Sequence, residues 1–399
     1  MNIAQTALWG VTYYNPLKSS GGYTLFSPIG ISYTSGKGEA WLIDMEGHIV
    51  NRWQFPYQCG LYGYLLPNGH IVYAAQSENV HQKYSLPFSF TGFGTEMVEQ
   101  DWDGNVVRTI PIPRGSHDFL IMPNGNVMYI SYGDEKGILP DELAAKWKGG
   151  IPAEGKEKLY GDNIYEVDED GKIVWEWISY EHMDPEIDAM CPLEDRQQWH
   201  MNTLFRCRDG NILVSPRHLN EFFKMEYPSG KIIARYGRGR IFHQHDCKEL
   251  DNGNFLVFDN GSHRHNYGAP YSRVVEIDPN TDEEVWEYKA EVPSDFYSSL
   301  MAGANRMPNG NTVICDSCSN SRIFEVTYEG ELVWEYIVPL RVKQMEISID
   351  NFNLIFRAPR YPSDYPGFKG KDLDPARFPW ENQMYGPAAF KKSFVPRIF

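Results

Sequence analysis

A chain of 399 residues with 42% hydrophobic and 23% charged residues has the make-up of an ordinary globular protein. Its net charge of −16 excludes a general affinity for nucleic acid or for anionic membrane surfaces. Six thinly spread cysteines exclude a disulfide scaffold, and 14% aromatics, with 11 Trp and 25 Tyr, fit an all-β chain with many aromatic sheet positions.

The N-terminal stretch Met1–Gly10 has no basic region and no long apolar run. A cytoplasmic location is therefore expected, or a periplasmic one if a leader has been removed. Residues 1–38 read as an extension. From there two hairpin units alternate. The first is a strand, a Pro-Asn-Gly-like turn and a second strand, at 65–73, 120–130, 208–214, 251–258 and 307–314, with a degenerate copy at 350–356. Asn-Gly and Asp-Gly supply the positive φ of tight hairpins. The second unit is a strand, an acidic-Gly turn and a strand ending in Trp or Tyr, at 40–53, 99–107, 164–177, 223–233, 274–288 and 323–336.

One hairpin of each kind makes a four-stranded antiparallel sheet, so the expectation is an all-β, six-bladed β-propeller over 39–357. The chain begins with a hairpin of the second kind and ends with one of the first, and pairing of these two would close the ring. The inserts 132–161 and 178–199 are the longest. The first contains Pro140–Trp147, a short helix with an acidic first turn. Residues 358–399 lack period-2 alternation and are expected to wrap the ring as a tail, leaving 1–399 as one domain.

Aligning the first-kind units on their turn and looking seven residues upstream finds Leu61, His117, Asn202, His245, Ala302 and Gln344. His200 lies on the same strand face as Asn202. His117, His200, Asn202 and His245 thus fall at one height, and Arg217, after the hairpin that His200 and Asn202 open, completes an anion pocket. His218 and His243 lack the equivalent position, and His263 and His265 are placed on the rim or surface. No metal is expected, because an Arg within the cluster repels cations and Asn is a poor ligand for soft metals. No nucleotide-binding motif is present, so no cofactor is expected. Cys315 and Cys318 read as small residues at a strand end rather than a zinc pair.

Trp199-His-Met-Asn202, Ser215-Pro-Arg217, Gln244-His245, Phe258-Asp-Asn-Gly261 and Tyr271–Glu276 followed by Val285-Trp-Glu-Tyr288 occur in this order. The set resembles the bacterial arylsulfate sulfotransferase family, over about residues 40 to 357. The resemblance implies a six-bladed propeller moving a sulfuryl group between phenols without a nucleotide donor. It assigns His245 as the nucleophile that becomes sulfated, His117 as a further catalytic His, and His200, Asn202 and Arg217 as sulfate ligands. The partner is then a small aromatic substrate, an aryl sulfate or phenol, and homo-oligomerisation is left open. The same histidines also suit a lyase or hydrolase acting on an aromatic or small anionic substrate, metal-assisted or not. A non-catalytic binding propeller is the third reading.

Overall fold

The computed structural model describes residues 9–29, 37–77, 93–150, 158–194, 199–264, 269–317, 321–339 and 354–387. Those residues are mostly strand, with a few short helices. No helix among them is long and apolar enough to cross a membrane.

The chain opens with β1 (Gly10–Tyr14), β2 (Tyr23–Phe26), β3 (Glu39–Ile43) and β4 (Ile49–Gln54). Next come β5 (Gln58–Leu65), β6 (Ile71–Gln76), β7 (Phe93–Gln100), β8 (Val106–Ile121) and β9 (Val127–Ser131). A helix, α1 (Asp141–Lys146), fills the expected place in the first long insert, and β10 (Asn163–Val167), β11 (Ile173–Trp177) and α2 (Ser179–His182) follow. Two regular meanders come next. They are β12 (Met201–Arg206), β13 (Ile212–Pro216), β14 (Phe222–Met225) and β15 (Ile232–Tyr236), then β16 (His245–Glu249), β17 (Phe255–Asp259), β18 (Arg273–Asp278) and β19 (Glu283–Tyr288). The last group is β20 (Gly303–Arg306), β21 (Thr312–Asp316), β22 (Arg322–Val326), β23 (Leu332–Ile337), β24 (Arg360–Tyr361) and α3 (Pro379–Tyr385).

The strands form antiparallel meanders, but not six separate four-stranded sheets. Among the described residues there are five sheets, and three of them have four strands. β8 runs unbroken for 16 residues, so the second and third hairpin sets share one seven-stranded sheet. β1 adds a fifth strand to the β20–β23 meander, pairing with β23. The ends of the chain share a sheet through β2 and β24, which lie in the stretches expected to be an extension and a tail rather than in the expected hairpins, with Tyr23 opposite Tyr361 and Thr24 opposite Arg360. Of the degenerate copy 350–356 only residues 354–356 are described, and there Ile355 bridges Pro28.

The chain packs as two compact units, one of Met1–Tyr73, Glu99–Val107 and Lys289–Phe399, the other of Ala74–Val98 and Arg108–Tyr288. Repeated side-chain bonds explain the repeated sequence in both. The Asn after each Asn-Gly turn donates to a buried Glu of the following hairpin: Asn126 to Glu166, Asn254 to Glu276, Asn311 to Glu325, at 2.6–2.7 Å. The Trp that ends a second-kind hairpin donates its indole N–H to a turn carbonyl: Trp53 to Asp101, Trp177 to Gly230, Trp334 to Met45. Buried indoles and carboxylates are kept because each has such a partner.

Glu325 in the first unit carries more than its counterparts. It also accepts from the Ser20 backbone N–H and from Arg360, which stacks on Trp334 and donates to Thr24. Arg360 and Glu325 are both fully buried. Removing one partner leaves an uncompensated buried charge, which costs about 3–5 kcal/mol. Glu276 accepts from Asn252 and Asn254, and losing that acceptor costs about 1–3 kcal/mol. Denaturant melts should therefore rank Glu325→Ala below Glu276→Ala in midpoint, with both below wild type. Equal midpoints for the two variants would contradict the ion pair's role.

Candidate active site

The second unit brings the C-terminal half of β8, β12 and β16 side by side. Each strand loses its register in the span that carries the aligned residues: between Ser116 and Phe119, between Met201 and Leu204, and between His245 and Lys248. Such bulges turn side chains away from the regular pleat. The backbone there is also unusual for non-glycine residues, with φ of 55° at His117, 57° at His200, 57° at His243 and 54° at Asp246. Strain of this kind persists only where surrounding bonds over-determine it.

Those bonds come from side chains. The carboxylate of Asp118 accepts from the N–H of Phe119 at 2.9 Å and of Leu204 at 3.0 Å. Asp162 accepts from the N–H of Met201 at 2.8 Å. Asn202 donates to the carbonyl of Gln244 at 2.8 Å and accepts from Thr203 Oγ1 at 3.0 Å, while that hydroxyl accepts from the N–H of Asp246. Asn202 is therefore fully buried with both ends of its amide bonded to the protein. Asn202, which the sequence places among the anion ligands, also braces the stretch that carries His245.

Four of the five sequence-derived site residues, His117, His200, Arg217 and His245, cluster electrostatically around His200. Burial holds the His200 imidazole well below its ordinary pKa, and His117, His218, Arg217 and His245 push it further the same way. The rings of His117 and His200 lie 4.7 Å apart, those of His200 and His218 4.9 Å, those of His218 and His243 6.0 Å, and those of His243 and His263 4.7 Å. His218 and His243, set aside in the sequence for lacking the equivalent position, are thus in the cluster. Bulges and short turns bring them there, and turn-based alignment cannot register these. His265 and Gln344 lie outside the described residues, as does Cys318. Cys315 is buried in β21.

His245 is buried, and its Nδ1 faces the backbone carbonyl of His243 at 3.1 Å and Asn260 Oδ1 at 2.7 Å. A carbonyl only accepts, so Nδ1 carries a proton, and in the neutral ring the lone pair is on Nε2. Asn260 belongs to the quoted Phe-Asp-Asn-Gly motif, which signalled the segment but not this role. Glu194, in the second insert, had no sequence signal. Its Oε1 receives Arg217 Nη1 at 2.9 Å and lies 3.1 Å from His243 Nδ1. Burial alone would raise this carboxyl, but His243, Arg217 and His218 hold it well below the usual carboxylate range. Burial lowers His243 to about 4 against the pull of Glu194. At the far end of the row Cys191 Sγ lies 3.5 Å from His263 Nδ1.

Imidazoles and one guanidinium thus converge at bulged, positive-φ strand ends of a β-meander scaffold. The family model for "Arylsulfotransferase (ASST)" matches residues 31–350, and the chain belongs to that family. It is similar to the arylsulfate sulfotransferase AssT of Escherichia coli O6:H1 (strain CFT073), at 23% identity over 306 residues, covering 55% of this chain and 48% of that one. The chain thus matches about half the length of that relative. Among solved structures it is similar to a Bacteroides caccae protein of unknown function, with TM-score 0.48, 16% identity and coverage of 85% and 98% of the two chains. It is also similar to the Staphylococcus aureus virginiamycin B lyase, with TM-score 0.43, 10% identity and coverage of 82% and 88%.

Asp162 gives this scaffold a pH dependence. Burial raises its carboxyl to about 7. The folded chain therefore keeps a proton that the unfolded chain loses above about pH 4. Folding takes up that proton, so its contribution to stability falls as pH rises from about 4 to about 7. Asp162→Asn should flatten this part of a stability–pH curve measured by denaturant midpoints. An unchanged slope would contradict the assignment.

Proposed function

We propose that the chain transfers a sulfuryl group from an aryl sulfate to a phenolic acceptor, without a nucleotide donor, through a transient sulfo-histidine at His245. The observation that carries this reading is the locked tautomer of His245. Its Nδ1 proton is held by the His243 carbonyl and Asn260, which leaves the Nε2 lone pair as the nucleophile. Membership of the arylsulfotransferase family supports the choice of a sulfuryl group over other anions.

In the first step Nε2 of His245 forms the N–S bond while the S–O(aryl) bond breaks and the phenolate leaves. Arg217 supplies positive charge for the sulfuryl oxygens, and the buried neutral His200 offers an N–H donor to them. His117, bonded through Nδ1 to Ser116 Oγ at 2.7 Å, enters this step as the imidazolium, gives the leaving phenolate its proton and becomes neutral. In the second step it takes the proton of the acceptor phenol, whose oxygen attacks sulfur as the N–S bond breaks. Asn202 and Asn260 position His245 rather than touch the substrate.

The test uses p-nitrophenyl sulfate as donor and phenol as acceptor. Ping-pong kinetics are expected, and His245→Ala should abolish turnover. Asn260→Ala leaves the nucleophile but frees its ring, and a misplaced reacting group costs about 10²-fold, so kcat should fall by that order with KM little changed. Nitrophenol release that is independent of phenol would point to hydrolysis instead, and wild-type rates in His245→Ala would overturn the reading.

A further inference from the structure

We infer that Cys191, His243 and His263 form a binding site for a soft divalent metal ion, zinc in the first instance, at the end of the histidine row away from His117. One ligand atom of each of the three lies within 4.8 Å of the other two. The 3.5 Å between Cys191 Sγ and His263 Nδ1 matches their geometry as ligands. A thiolate and an imidazole on one tetrahedral zinc, at about 2.3 and 2.0–2.1 Å from it, stand about 3.5 Å apart. A thiolate with two imidazoles is also the donor set that such metals prefer over calcium or magnesium.

His243 supplies the second, independent observation. Its ring is wholly buried, and neither Nδ1 nor Nε2 has a hydrogen-bond partner among the described residues. Buried polar atoms are ordinarily satisfied, so an unpartnered ring here points to an occupant. Nδ1 stands 3.1 Å from Glu194 Oε1, within ion-pair distance. A carboxylate behind a histidine is the arrangement that orients a metal-bound imidazole and raises its basicity.

The cation objection that applies around His200 does not apply here. Glu194 stands between this cluster and Arg217, taking the guanidinium on the oxygen that also faces His243. Glu194 and the Cys191 thiolate place two negative charges beside the proposed ion. The His263 side chain is 34% exposed, which gives the ion an entry path and leaves room for a fourth, water ligand. The Cys191 N–H donates to the His218 carbonyl at 2.7 Å, so a bound ion would tie the 191–194 turn to the pocket wall and steady Glu194 and Arg217.

The test is metal binding by the tag-free full chain, stripped with chelator and titrated with cobalt(II), then zinc(II). Wild type should take up one equivalent of cobalt with the intense visible bands of a tetrahedral site and a thiolate charge-transfer band in the near ultraviolet, and zinc should displace both. Cys191→Ser should lose the charge-transfer band. Glu194→Gln should weaken affinity by about 10–100-fold, the usual cost of losing an outer-shell carboxylate. His263→Gln, at a partly exposed side chain, reads the site independently should Cys191→Ser fold poorly, and should lose stoichiometric binding. Uptake well below one equivalent by wild type, or wild-type cobalt spectra in both Cys191→Ser and His263→Gln, would overturn the site. None of these readouts depends on the sulfuryl-transfer reaction.

Discussion

A strand that breaks its register forfeits backbone hydrogen bonds, and buried backbone groups must be satisfied elsewhere. In the second unit three adjacent strands break register at one level, and the missing acceptors and donors are side chains. Asp118 and Asp162 take the N–H groups of β12, Thr203 takes that of Asp246, and Asn202 caps the carbonyl of Gln244. These bonds run mostly between strands, so they also fix His117, His200 and His245 relative to one another. The polar residues beside the histidines are the struts that allow positive φ in a buried place. A carboxylate such as Asp162, protonated near neutrality, indicates how fully that region is withdrawn from water.

Much of this was legible in the sequence, because the repeats carry their reasons on their surface. Asn-Gly-Asn turns and Trp-ended hairpins are bonded in the structure by the residues that make the motifs recognisable: Asn254 to Glu276, Trp177 to Gly230. The short helix beginning beside Pro140 was legible for the same local reason, an acidic first turn. The number of separate sheets was not, since nothing in Val106–Ile121 announces that one strand passes from one hairpin set into the next. Nor does any turn motif mark β1 and β2 within the first 38 residues; β1 pairs with the distant β23, and β2 lies between the distant β24 and the following β3.

The site was half legible. Turn alignment found His117, Asn202 and His245, strand-face periodicity added His200 and the following hairpin Arg217, and the structure brings His117, His200, Arg217 and His245 together. The alignment discarded His218 and His243, because it assumes straight strands and the bulges shift what faces the pocket. Glu194 was invisible, coming from an insert without periodicity, yet it is the residue that divides the row. On one side lie Arg217 and the imidazoles grouped around His200. On the other lie Cys191, His243 and His263, the set proposed for a cation. Glu194, whose carboxyl is held well below its usual range, bonds Arg217 and faces His243.

The central claim is that the Nε2 lone pair of His245 becomes the sulfuryl carrier. Its most direct test is the intact mass of the protein after brief mixing with p-nitrophenyl sulfate in the absence of acceptor, with peptide mapping of the product. The account predicts a gain of one sulfuryl group on the peptide containing His245, discharged on addition of phenol. An unmodified mass at a time when nitrophenol has been released, or a label on any other residue, would contradict it.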